Sequence, residues 1–336
     1  MDFFCTYFDK RYLPKGLALL KSLLAFGEHF KLFVLCMDDD TYSYFISGEW
    51  PCVIPVKLST LERADAALHH ARTTRTLVEY YFTCTAAWCL FLLSEYPDID
   101  RVTYLDADLY FYQSPGTLLA EMGSGSILAC RHNFSANSKF NRECGEFNVG
   151  FLSFRNNAEG RSCLSWWRER CIEWCYDRHE NGKFADQKYL DSWPTMFEGL
   201  RIAVHKGANV GPWNLGLYPL SLENRQPYVG GEPVLFYHYH GVQALNGWLF
   251  NLGIPGNVDK SCPALVWMYQ HYVGELARVM KTLDPTPPSA RGRWSSSLYR
   301  FAKVPWDGAF AVVINTAPFV VRYTNPLRRS RNRPVL

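Results

Sequence analysis

The chain has 336 residues, 48% of them apolar and 20% charged, which excludes disorder and allows one large domain or two smaller ones at about 150 residues each. Its formal charge of +3 is unevenly spread: from Arg291 onward nine Lys or Arg face one acid, leaving 26 basic and 31 acidic residues before that point. An acidic body excludes general nucleic-acid binding by that part, because a phosphate backbone needs a basic face.

Residues 3–8 are strand formers, and residues 14–24 follow as a helix in which Pro14 suits the first turn, Leu17, Leu20 and Leu24 share a face, and Gly27 suits the exit. Residues 30–37 and 53–58 are further strands. Asp38, opening the triplet that precedes Thr41, reads as a helix cap in preference to a metal ligand. Residues 73–94 place Leu77, Tyr80, Tyr81, Cys84, Trp88, Phe91 and Leu92 at helical spacing, with Pro97 closing the segment. Strand 101–105 leads into Asp106-Ala107-Asp108. Strands alternating with helices predict an α/β fold with a mostly parallel sheet covered on both faces. Ligands of such sheets lie beyond the carboxyl ends of the strands, which puts residues 6–12, Asp38, Asp106 and Asp108 along one rim.

Further along come strands 126–130 and 147–154, a helix rich in Trp and Cys over 161–178, the pair Asp186-Gln187, a loop at Trp213-Asn214, and an apolar strand 234–241 containing His238-Tyr239-His240-Gly241. Leu265, Tyr269, Tyr272, Leu276, Val279 and Leu283 mark an amphipathic helix, and the Pro- and Ser-rich residues 284–297 read as a linker. Eleven cysteines without a Cys-x-x-Cys predict buried thiols in a reducing, cytoplasmic compartment. No signal peptide is expected, and the weakly polar stretches 86–93 and 309–321 fall short of the about 20 residues that span a bilayer. Apolar residues 309–314 and 318–321, followed by Arg322, Arg328, Arg329, Arg331 and Arg333, suit an anionic membrane surface and peripheral attachment to its inner face. They equally suit a C-terminal element packed on the body with a solvated basic end.

Asp106 and Asp108 follow an apolar strand, and in an extended chain residues two apart share a face. Adjacent carboxylates repel unless a cation sits between them, and a divalent ion with open positions for phosphate resolves this. The other reading has one Asp capping the next segment and its neighbour solvated. An imidazole from His238, with His240 in reserve, would complete a site better suited to Mn²⁺ than an all-oxygen one.

These residues resemble the GT-A fold nucleotide-sugar glycosyltransferases, particularly the glycogenin and lipopolysaccharide galactosyltransferase (family 8-like) group. The resemblance rests on residues 102–108, Phe147-Asn148-Val149-Gly150, Asp186-Gln187 and His238-Tyr239-His240-Gly241, in the family's order. It implies a GT-A domain over 1–255, followed by a helix, linker and basic apolar tail over 256–336. It implies Asp106, Asp108 and His238 as ligands of Mn²⁺ or Mg²⁺, with Asp106 also facing the donor diphosphate, and Asn148, Asp186 and Gln187 around the donor sugar. Asp186 and Gln187 would be catalytic. Thr6, Tyr7 and Asp9 stand where the nucleotide base of a UDP-sugar packs. The implied activity is transfer of a hexose, with retention at C1, to a saccharide or lipid-linked acceptor in glycan or lipopolysaccharide-type biosynthesis. Two departures stand out. Where the family places a Lys that grips the diphosphate, residues 242–246 carry no cation, and the helix before the metal motif has Glu79 and Thr83 with Arg75 upstream. Competing readings are a haloacid-dehalogenase-like phosphatase, whose first Asp is a nucleophile, and a degenerate nucleotide-sugar-binding protein.

Overall fold

A computed structural model describes residues 1–27, 29–136, 142–245, 249–255, 258–284, 310–313 and 321–322. They fall into two units, Met1–His238 and Tyr239–Leu336. In the first, apolar runs form strands β1 (Asp2–Phe8), β2 (Phe30–Cys36), β3 (Val53–Lys57), β4 (Arg101–Leu105), β5 (Leu109–Phe111), β6 (Ile127–Arg131), β7 (Phe147–Arg155) and β8 (Leu200–Ile202). All but β5 join one sheet in the order β3-β2-β1-β4-β7-β6-β8. Four of its six neighbouring pairs run parallel, and β7 runs antiparallel to both β4 and β6. The expected mostly parallel sheet is present, and β1, β2 and β4 end on one edge.

Around the sheet lie α1 (Leu13–Leu24), α2 (Asp39–Ser47), α3 (Leu58–Ala64), α4 (Ala66–Ala71), α5 (Leu77–Glu95), α6 (Pro115–Leu119), α7 (Ala158–Glu173) and α8 (Trp193–Met196). Asp38 caps α2 by accepting from the Thr41 N–H at 2.8 Å, as the sequence predicts. Two predicted helix ends move because capping chemistry decides them. Thr76 and Glu79 form a reciprocal capping box, so α5 starts at Leu77 and residues 72–74 are a separate 3₁₀ turn. Asn157 accepts from the Gly160 N–H at 2.9 Å, so α7 starts three residues before the predicted Arg161 and ends at Glu173. α5 also corrects the expectation that no segment reaches spanning length: it is long and apolar enough by composition. More than half of its apolar window is nevertheless buried in the protein. Trp88 is fully buried on α5, and Trp167, Trp193 and Phe154 meet edge to face or stacked in the same core.

Three short strands, β9 (Leu220–Glu223), β10 (Gln226–Val229) and β11 (Glu232–Pro233), form an antiparallel ribbon leading to β12 (Phe236–His238), which pairs with β5. The second unit holds β13 (Gln243–Ala244), β14 (Leu249–Asn251), the amphipathic helix α9 (Pro263–Leu283), β15 (Phe310–Val313) and β16 (Val321–Arg322). Tyr239 stacks on Tyr272 at 3.7 Å and donates to the Met268 carbonyl at 2.9 Å. Part of the apolar tail pairs there, β15 lying antiparallel between β14 and β16. The predicted linker beyond residue 284 and the basic end beyond residue 322 lie outside the described residues. Nine of the eleven cysteines are buried.

α1 comes close to β1 only because residue 16 is glycine: a Cβ there would overlap the buried ring of Phe8. Gly16→Ala is expected to destabilise the fold by about 1–3 kcal/mol through overpacking. The denaturant midpoint checks this, and an unchanged midpoint would show that α1 can shift freely.

Candidate active site

β4 delivers Asp106 to the carboxyl edge of the sheet, where its N–H donates to the Gly150 carbonyl of β7 at 2.9 Å. The chain then turns, the Leu109 N–H donating to the Asp106 carbonyl at 3.2 Å. Asp106 and Asp108 therefore share a pocket because of a turn, not because they sit on an extended strand as the sequence reading supposed. After the turn β5 runs antiparallel to β12, with Leu109 opposite His238, Tyr110 opposite Tyr237 and Phe111 opposite Phe236. That register puts the last residue of β12 beside the turn. His238 Nε2 lies 2.9 Å from Asp108 Oδ1 and 3.5 Å from Asp106 Oδ2. His240, the reserve candidate, is exposed and belongs to the second unit.

One ligand atom from each of Asp106, Asp108 and His238 lies within 4.8 Å of the others. Cis donors on a hard cation with bonds of about 2.1 Å stand about 3 Å apart, so the spacing suits a divalent ion. Two carboxylates and one imidazole also suit Mn²⁺ chemically. Asp108 is 7% and His238 3% exposed, while Asp106 is only partly buried, so water screens little of the charge on Asp108. Lys15 Nζ lies 3.3 Å from Asp108 Oδ2, and Tyr104 donates to Asp106 Oδ1 at 2.7 Å. Burial raises the Asp106 pKa against the pull of His238, and Asp108 adds to the rise. His238 is lowered by burial but raised further by Asp108 and Asp106, ending above its ordinary value.

Asp186 is buried with Oδ2 accepting from Thr85 at 3.0 Å, and its carbonyl accepts from the Trp167 indole at 2.8 Å. Burial, helped by Asp106 and resisted by the Thr85 hydrogen bond, pushes its carboxyl up to about 7. Tyr7, at 3.1 Å from Thr85 Oγ1, has its ring 5.6 Å from that of Tyr104. A chain of hydroxyls thus runs between the metal triad and Asp186. Asn148 is buried, with Oδ1 accepting from the Gly150 N–H at 2.8 Å and its amide 3.0 Å from His132 Nε2. The Gln187 amide donates to the Cys144 carbonyl at 2.9 Å. Asp9 is half-buried and accepts from the Arg11 and Tyr12 N–H groups and from the Tyr81 hydroxyl. Thr6 is fully buried inside the sheet, so its side chain offers no exposed surface to a base.

Sequence reasoning missed Lys15, Tyr104, Thr85 and His132, and did not see what Trp213 does. The Trp213 ring meets both His132 and His238 edge to face at 5.2 and 5.1 Å. Nothing in local periodicity distinguishes these residues from core. Arg75 and Glu79, upstream of the metal motif, serve structure: Arg75 donates to the Tyr176 hydroxyl and the Ile172 carbonyl, and Glu79 accepts from the Asp177 N–H.

No protein-family model matches the chain. Two Bacillus subtilis (strain 168) proteins, both described as uncharacterized, are similar along most of it. YfnF is 31% identical over 290 residues, covering 84% of this chain and 95% of YfnF. YfnD is 30% identical over 289 residues, covering 85% and 92%. Among solved structures, the galactosyltransferase LgtC in complex with donor and acceptor sugar analogs matches with a TM-score of 0.51 at 17% identity, over 82% of this chain and 95% of that one. The fold is therefore the GT-A fold, which does not favour the haloacid-dehalogenase-like alternative.

The raised carboxyl of Asp186 predicts a pH-dependent stability. Its folded value of about 7 lies above the ordinary 3.8, so the unfolded chain gives up this proton first as pH rises. The contribution is fully present below the ordinary value and is lost as pH climbs towards about 7. Asp186→Asn lacks that loss. Its melting temperature relative to the parent should climb between about pH 4 and about pH 7 and then level off, whereas a constant difference would show that Asp186 is ionised throughout.

Proposed function

The chain belongs to the family of the Bacillus subtilis proteins YfnF and YfnD, and on that premise we propose that it is a metal-dependent glycosyltransferase. It moves a hexose from a nucleoside diphosphate donor, a UDP-sugar, to a saccharide hydroxyl. The observation that carries this reading is the convergence of Asp106, Asp108 and His238, the last two buried and Asp106 partly so, at the carboxyl edge of a GT-A sheet. That edge is where open α/β sheets bind their ligands.

In such a transfer the bond from C1 to the diphosphate breaks, C1 becomes cationic, and negative charge accumulates on the leaving group. A divalent cation, Mn²⁺ or Mg²⁺, held by Asp106, Asp108 and His238 would stabilise that charge as a Lewis acid. The protein's own part is to keep the three ligands together and shield them from water. His238 is held by the backbone pairing of β12 with β5 and by the edge of Trp213. Asp186, oriented by Thr85, would hold the donor hydroxyls and, when ionised, stabilise the cationic C1. Asn148 and Gln187 would stand around the sugar, and Tyr7 and Asp9 around the base. The resemblance to the glycogenin and lipopolysaccharide galactosyltransferase group supports retention at C1.

The test is a donor screen read by released nucleoside diphosphate. Release from one UDP-hexose is expected, stimulated by a saccharide acceptor and abolished by chelation. Asp108→Asn and His238→Ala should each lower turnover by about a hundredfold or more. Full activity in either variant, or indifference to chelation, removes the metal from the reaction. Binding of UDP with Mn²⁺ but no transfer or donor hydrolysis would favour the degenerate binding protein.

A further inference from the structure

Lys15 occupies a position where a cation is unfavourable on two counts. It lies in the first turn of α1, where unpaired backbone N–H groups make the helix end positive. It is also only 9% exposed, and lysines are seldom buried so far without a partner. Nothing in α1 calls for a charge there: Pro14 sits in its first turn, and the face that follows is leucine-rich. What Lys15 meets is the metal triad, with Nζ 3.3 Å from Asp108 Oδ2 and 4.3 Å from the centroid of the Tyr12 ring. The two oxygens of Asp108 are thereby divided, Oδ1 facing His238 and Oδ2 facing Lys15.

The placement is built in. Gly16 lets α1 press against Phe8, and the Ser22 hydroxyl accepts from the Phe111 N–H at 3.1 Å, tying the helix to β5. The strand that sets the register of His238 therefore also fixes the helix that carries Lys15.

Charge accounting gives this lysine a task. Asp106 and Asp108 bring two negative charges, which a divalent cation in the triad cancels. The ammonium of Lys15 is then a surplus positive charge beside a second cation in a water-poor pocket, an arrangement that favours a ligand carrying more than one negative charge. A diphosphate is such a ligand. We propose that Lys15 binds the diphosphate of the donor and stabilises it as it departs, supplying from α1 the cation that residues 242–246 lack. This rests on the reading of the site as a metal-dependent nucleotide-sugar transferase. As the bond from C1 breaks, its electron pair passes to the terminal phosphate oxygen, to which the Lys15 ammonium donates a hydrogen bond without losing its proton. The acceptor oxygen bonds to C1, and its proton leaves with the diphosphate.

The test is calorimetric titration of the full chain and of Lys15→Met, first with Mn²⁺ alone and then with UDP or UMP at saturating Mn²⁺. Lys15→Met should bind Mn²⁺ at least as tightly as the parent, since a competitor for Asp108 is gone. It should lose about 10- to 100-fold in UDP affinity, as expected for a buried charge-assisted contact, and clearly less for UMP. Lys15→Arg should recover most of the UDP affinity. Where Met beside Asp108 unfolds the chain, Lys15→Gln makes the same comparison. Unchanged UDP affinity, or equal losses for Mn²⁺, UMP and UDP, would overturn the proposal and leave Lys15 a purely structural partner of Asp108. A parent protein that binds Mn²⁺ but neither UDP nor any other nucleoside diphosphate would instead overturn the transferase reading itself, and the role of Lys15 with it.

Discussion

The antiparallel pairing of Leu109–Phe111 with Phe236–His238 is the contact on which the site depends. Two carboxylates that are neighbours but one in the chain repel, and a third ligand about 130 positions away in sequence has no local reason to join them. Six residues of backbone ladder do what electrostatics opposes. They are affordable because the strands on both sides are apolar and buried: Phe111 and Phe236 pack at 5.3 Å, and Phe236 stacks on Phe151 of β7 at 5.5 Å. Burial of aromatic surface holds the polar ends of these strands in contact.

The same core links the triad to Asp186. Tyr104 donates to Asp106, Thr85 donates to Asp186, and Tyr7 stands between the two hydroxyls. Each carboxylate is thus oriented by a neutral donor in a water-poor region, and each feels the other, since Asp106 contributes to the raised value of Asp186. A positive charge at the triad would screen Asp106 and let Asp186 ionise more readily. Filling the cation site therefore favours the ionised form of the group that would face a cationic C1, a coupling that needs no movement of the backbone.

Most of the sheet was legible because short, nearly continuous apolar runs, buried on both faces, between capped helices leave few alternatives. β4 matches residue for residue, and β1, β2, β3, β6 and β7 match within one residue at each end. Asp106, Asp108 and His238 were legible as a candidate set, while the reason they meet was not. β5 is three residues long, too short to show periodicity, and the turn before it depends on backbone hydrogen bonds to β7 and within residues 106–109. Lys15 was illegible for a different reason: in sequence it is one basic residue near the start of a helix, and only tertiary packing reveals that it is buried against a carboxylate. Thr85 and Tyr104 sit at ordinary core positions on α5 and β4, where the sequence pattern reports burial and nothing of the polar atom's partner.

Gly150 shows how tightly the pocket is drawn. A Cβ at that position would stand 2.7 Å from Asn148 Oδ1 and 2.8 Å from His238 Nδ1, closer than real Cβ contacts allow. Packing and backbone hydrogen bonds together thereby account for the glycine of the Asn-x-Gly segment. Asn148 needs the Gly150 N–H as a donor, the His238 ring needs the space above Gly150, and the Gly150 carbonyl is the acceptor that fixes Asp106. Three functional candidates lean on one residue without a side chain, and the Trp213 ring meets that of His238 edge to face at 5.1 Å. A ligand set held this way has its rotamers chosen before any cation arrives, so little reorganisation is left for binding to supply.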